Sequence, residues 1–233
     1  MLIAVLGRGI QRQRQPLGAV DTTFWAPTDD LEMCAPDGSH LVERLPVDDH
    51  SPNCRIGGGE LNLLAGAELY DRSIGETVFC CAYGNRSPYL VDVDGHSESE
   101  VMSVKLAGMI NELGLELPLI VVWPKEKVVF GKSNTQRELQ NIFELALKKG
   151  IIEVTIVTVA VHMPRTIAFA EYYLSDVCNN SINVSYYASE QVLVESDYRK
   201  YAPRVLAMYK SLAFARTAYF EHRGTEAFLS GNY

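Results

Sequence analysis

The chain has 233 residues, 47% of them apolar and 21% charged, with a formal net charge of −8 at pH 7. This is an ordinary balance for one globular domain, 1–233, with a sizeable core, and it excludes a broad nucleic-acid or anionic-membrane surface, so an anionic ligand must be met by a local pocket. The opening apolar stretch stops at Leu6, no uncharged apolar run suits a membrane span, and five cysteines form no CxxC pair, which together predict a reduced, cytoplasmic protein.

"LIAVLG" at 2–7 predicts a short buried strand that runs into Gly7-Arg8-Gly9. The polar, proline-bearing stretch 11–55 is too long for an ordinary connection and predicts an insertion, lid-like with short strands or partly mobile. Leu61, Leu64, Ala65, Glu68 and Leu69 recur at helical spacing over 59–71, and "ETVFCCAYG" (76–84) then reads as a strand ending in glycine. A helix over about 98–113 closes at Gly114, strand 117–123 ends at Pro124, and helix 133–150 opens with capping residues and stops at Lys148-Lys149-Gly150. The β-branched run from Thr155 to Val161 predicts a strand that leads into a helix beginning at Pro164. A β-rich piece (182–195) and one long helix (197–222) complete the chain.

Repeated strand-then-helix units predict a three-layer, Rossmann-like parallel sheet with helices on both faces. In such sheets ligands gather at the carboxyl ends of the strands. The loops there bring one set of groups to a common edge: Gly7, Arg8 and Gly9; Gly84 and Arg86; Ser133, Asn134 and Thr135; and His162 with Arg165.

"SESEVMSVKLAGMINELGL" (97–115), "SNTQRELQN" (133–141) and "VTVAVHMPRT" (157–166) resemble, in order and spacing, segments of the ElyC/SanA/YdcF family. Leu6-Gly7 and Leu69-Tyr70 match further positions of that pattern, and Glu138 and Asn141 match its nearby Glu and Asn. The likeness covers about 2–10 and 57–175. It departs at Asn62, where an arginine is usual, and at Ala82-Tyr83-Gly84, where Ser-Gly-Gly is usual. Several family members are membrane-anchored; this chain is more similar to the soluble ones, and the resemblance implies S-adenosylmethionine or nucleotide binding as the ligand class.

Chemically, Ser133-Asn134-Thr135 at a helix start suits either capping or a bound phosphate or carboxylate. His162 exchanges a proton near neutrality and Arg165 offers a planar fork to an oxyanion, while a structural hydrogen bond and ion pair would use the same groups. Arg12 stands where a dinucleotide fingerprint needs its third glycine, which argues against a classical NAD site. "DVDGHSESE" offers hard ligands but has Ser103 where a calcium loop needs glutamate, so no metal is required. Glu98 or Glu100 then orients a cationic ligand group or caps the helix after it. Cys80-Cys81 reads as packing, and the aromatic residues of the last helix pack on the sheet or on a second copy in a homodimer.

Two readings follow. In the first, the protein is a hydrolase or transferase for a small phosphate-, nucleotide- or carboxylate-bearing substrate. His162, Arg165 and Glu98 form its catalytic set, and Gly7, Arg8, Gly9, Gly84, Arg86, Ser133, Asn134, Thr135 and Glu138 bind the ligand. In the second, the same site holds S-adenosylmethionine or a nucleotide-like molecule without turnover.

Overall fold

The apolar run at the amino terminus becomes a strand buried on both faces. In the computed structural model, which describes residues 1–13, 24–28, 42–43, 56–73, 77–81, 98–122, 135–176 and 181–232, this strand is β1 (Leu2–Val5). The chain next forms β2 (Ile10–Gln13), β3 (Phe24–Pro27) and β4 (Val42–Glu43), a small antiparallel sheet in the order β3-β2-β4. Part of the 11–55 insertion is therefore regular structure, and the rest of that stretch lies outside the described residues.

From there helices and strands alternate. Helix α1 (Gly59–Asp71) precedes β5 (Val78–Cys81), α2 (Glu98–Glu112) precedes β6 (Leu119–Val121), and α3 (Thr135–Lys149) precedes β7 (Glu153–Thr158). A 3-10 turn, Ala160–His162, then leads into α4 (Met163–Asp176) and β8 (Asn183–Ala188). Strands joined through helices pair in parallel, and all four pairings of the order β6-β5-β1-β7-β8 are parallel. Taken in chain order the five parallel strands read 3-2-1-4-5. The direction of winding reverses between β1 and β7.

The pleat sends alternate residues of β1 to opposite sides. Ile3 and Val5 join a cluster with Leu61 and Leu63 of α1 and Met102 and Leu106 of α2, whereas Leu2, Ala4 and Leu6 join Leu139 and Phe143 of α3 and Phe169 of α4 in another. Helices α5 (Ser189–Ser196) and α6 (Tyr198–Tyr209) add Leu193, Val205 and Met208 to the first cluster. The last helix, α7 (Leu212–Leu229), is about 27 Å long. It places Ala213 and Phe214 against the first cluster and Phe228 against the second.

Three expected elements differ. The β-rich piece at 182–195 divides at Ser189, because Val192 and Leu193 pack as a helical face beside α1, and tertiary packing overrides the strand propensity of valine. The single helix 197–222 is α6 and α7, separated at Lys210 and Ser211, where the Ser211 hydroxyl accepts from the Phe214 N–H and starts the second helix. The strand expected to reach Val161 ends at Thr158, and the next residues tighten into the 3-10 turn. Of the aromatic residues expected to pack, Tyr201 is buried and Phe214 packs on the first cluster, while Tyr198 and Tyr219 are exposed. Among the described residues no helix is long and apolar enough to cross a membrane.

Candidate active site

The loop after β1 and the turn after β7 flank the point where the winding reverses, and this is where an open parallel sheet presents a ligand crevice. Gly57, Gly58 and Gly59 bring α1 close to that loop. Gly58 has φ 92° and a side chain there would run into Val159, while a Cβ on Gly59 would stand 2.9 Å from the Gly9 carbonyl oxygen. Only glycine meets both demands.

Asn62, the departure from the family pattern, serves the scaffold. Its Nδ2 donates to the Leu6 carbonyl at 2.8 Å, and its Oδ1 accepts from the Ser189 hydroxyl at 2.6 Å. It is wholly buried, so it ties β1 to α5 and offers nothing to a ligand.

The glycine N–H groups expected to cradle an anion are taken by the protein's own carboxyl groups. Gly7 N–H donates to Glu138 Oε1 at 2.7 Å, and Gly9 N–H donates to Glu98 Oε1 at 2.5 Å. Both glutamates lie in the first turn of their helices, α3 and α2. Burial raises both carboxyl pKa values, Glu138 further, and the glycine N–H bonds and the Arg8 charge offset only part of this.

Arg8 turns the other way. Its Nε donates to the Gly57 carbonyl at 2.8 Å and its Nη1 to Glu221 Oε1 at 2.8 Å. The second oxygen of Glu221 stands 2.8 Å from Nδ1 of His162 and 3.3 Å from Nη1 of Arg165. On the far side of the imidazole, Nε2 lies 3.1 Å from the Thr135 hydroxyl. One chain of contacts thus runs from the start of α3, through the turn after β7, to the middle of α7.

The protonation states follow from the surroundings. Burial and the Arg8 charge lower the His162 pKa from 6.5 to about 4, against the opposing pull of Glu221, so the ring is neutral at pH 7. Burial alone would raise the carboxyl of Glu221, but the hydrogen bond from His162 and the charges of Arg8 and Arg165 hold it well below the usual range. An ionised carboxylate only accepts, so its contact with Nδ1 requires the ring proton there, and Nε2 is left to accept from the Thr135 hydroxyl. The 3.1 Å separation of Arg8 Nη1 from Nδ1 is then a close approach of two donors that share Glu221. A hydroxyl, a neutral imidazole and a carboxylate in series can pass the hydroxyl proton to Nε2 and stabilise the imidazolium that results.

The chain has no match among family models, curated proteins or solved structures. Of the residues singled out by sequence, Gly7, Arg8, Gly9, Glu98, Thr135, Glu138, His162 and Arg165 meet in this region, while Gly84, Arg86, Ser133 and Asn134 lie outside the described residues. The expected open cleft is not seen at the imidazole: His162 is 2% exposed and Thr135 7%. The network comes nearest to solvent at Arg8 and Arg165, whose side chains are 14% and 19% exposed. Among the described residues no group of three or more His, Cys, Asp or Glu side chains is placed to hold a metal.

Two residues escaped the sequence reading. Glu190, in the first turn of α5, accepts from the Ala160 N–H at 2.8 Å and steadies the 3-10 turn that carries His162. Glu221 is the larger omission. Its signal is the stripe Ala213, Thr217, Glu221, Gly224, Phe228, spaced by three or four along α7. Thr217 accepts from the Ile56 N–H at 2.7 Å, and Gly224 leaves room for the Arg165 guanidinium, whose carbon would lie 3.1 Å from a Cβ there. An acidic residue in the inward stripe of a helix demands a cationic partner.

Proposed function

We propose that this chain is a three-layer, Rossmann-like protein of the ElyC/SanA/YdcF kind, and a hydrolase or transferase acting in the cytoplasm on a small anionic substrate. The parallel order 3-2-1-4-5 and the two apolar clusters support the architecture. The observation that carries the enzymatic reading is the His162 imidazole held between the Thr135 hydroxyl and the Glu221 carboxylate beside the reversal of winding. In this reading His162 is the general base, Glu221 is its positioning residue, and Arg8 and Arg165 meet the negative charge of the substrate. Glu98 and Glu138 hold the glycine loop through the Gly9 and Gly7 N–H groups.

The deep burial of His162 favours the second reading, a binding module for S-adenosylmethionine or a nucleotide without turnover. Calorimetry with adenosine monophosphate and with S-adenosylmethionine tests the anion assignment. Arg165→Ala is expected to weaken the monophosphate by about 10- to 100-fold, the worth of one charge-assisted contact, and to leave the sulfonium cofactor within a few-fold. Unchanged affinity for the monophosphate would remove Arg165 from the ligand site.

A further inference from the structure

Independently of the enzymatic reading above, we infer a second binding site, for an alkylated organic ammonium ion, between the carboxyl-terminal halves of α4 and α7. These helices run side by side in the same direction. The Arg165 guanidinium lies over Gly224, Phe169 meets Phe228 with ring centroids 4.1 Å apart, and Tyr172 meets Phe228 at 5.9 Å. Tyr172 and Phe228 each follow a member of the ion cluster, Arg165 and Glu221, by two helical turns, which is about 10 Å along each helix. There the two helices, with Gln136 of α3, frame an open cavity of about 690 Å³, a size that suits a small organic ligand.

The charge around this cavity is negative. Among the described residues that line it, Glu171 is the one charged side chain. Helices α4 and α7 both end beside it, and neither has a basic residue in its last turn, so their own side chains do not offset the partial negative charge of the two helix ends. The amino end of α3 would favour an anion, but it already carries Glu138 in its first turn.

The walls decide which kind of cation. The rings of Tyr172 and Phe228 stand at 90° to one another, and Ala168 and Leu229 extend the apolar lining. Aromatic faces attract a cation, most strongly one that gives up little water to reach them. A metal ion or a primary ammonium must keep several polar partners, and among the described residues no cluster for a metal is present. The methyl groups of a substituted ammonium need no hydrogen bonds, so its charge can approach the rings while Glu171 balances it.

The test is a proton–nitrogen NMR titration of the full chain with benzyltrimethylammonium, with uncharged benzyl alcohol and with anionic benzenesulfonate. The cation is expected to bind most tightly, to move the amide signals around Gln136, Glu171, Tyr172 and Leu229, and to bind more weakly as salt is added. Tyr172→Ala should weaken it by about 3- to 30-fold, the worth of a cation–aromatic contact, and Glu171→Gln by about 3- to 5-fold. Both side chains are exposed, so neither change threatens the fold. Binding of benzenesulfonate or benzyl alcohol as tight as that of the cation overturns the charge selection. Unchanged affinity in Tyr172→Ala, or signals that move elsewhere or not at all, overturns the site. These variants leave the His162 cluster intact, so either failure leaves the enzymatic reading standing.

Discussion

Glu221→Ala is expected to destabilise the protein by about 3 kcal/mol, because it removes a largely buried carboxylate that two guanidinium groups and an imidazole N–H share. The carboxylate binds Arg8 at 2.8 Å, His162 at 2.8 Å and Arg165 at 3.3 Å, and its own side chain is 10% exposed. The loss reaches beyond the site, since Glu221 sits midway along the helix that joins the two apolar clusters. Glu221→Gln should cost less, as an amide oxygen can still accept one of these bonds. Urea unfolding at pH 7 reads the difference as a shift in midpoint. An unchanged midpoint for the alanine variant would mean that the three contacts contribute nothing net.

The second large effect falls on catalysis. His162→Ala is expected to lower turnover by roughly 10²- to 10⁴-fold, the usual contribution of a positioned general base. Affinity for the substrate should stay within a few-fold, because the arginines that meet the anion remain. Separate determination of kcat and Kd checks both parts. A variant that turns over like its parent removes His162 from the chemistry, and one that loses binding and turnover equally makes His162 a ligand contact.

The central strands of the fold were legible because their physics is local. Leu2 to Leu6 is an uninterrupted, fully buried apolar run, the pattern of a strand covered on both faces. Gly114 and Gly150 have φ of 72° and 66° where helices α2 and α3 end, so those boundaries were readable as well. The division at Ser189 was not, because the valines of α5 favour strand locally and are helical only through their packing beside α1. The same holds in the site. Arg8, Thr135, His162 and Arg165 follow or precede strands on one edge, and topology alone gathers them. Glu221 comes from a helix that a strand-end argument never reaches, 59 residues from His162. The glycine N–H groups read as an anion cradle for the same reason: nothing local to Gly7 and Gly9 announces that glutamates 131 and 89 residues away will fill it.

At the heart of the site is a neutral imidazole with its proton on Nδ1, held between Glu221 and Thr135. Its linkage to stability has a definite sign. Between pH 6.5 and about 4 the unfolded chain binds a proton at His162 that the folded chain refuses, so this group lowers stability as the pH falls through that window, by up to about 3 kcal/mol. Glu98 and Glu138, with raised pKa values, act in the opposite direction, and Glu221, with a lowered one, removes stability only below the ordinary carboxyl range. Stability curves alone therefore mix the four groups. The direct measurement is a proton–nitrogen NMR titration of the His162 ring. A protonated Nδ1, an unprotonated Nε2 and no titration until the pH approaches 4 are expected; a ring that titrates near 6.5, or one that carries its proton on Nε2, would rule out this arrangement.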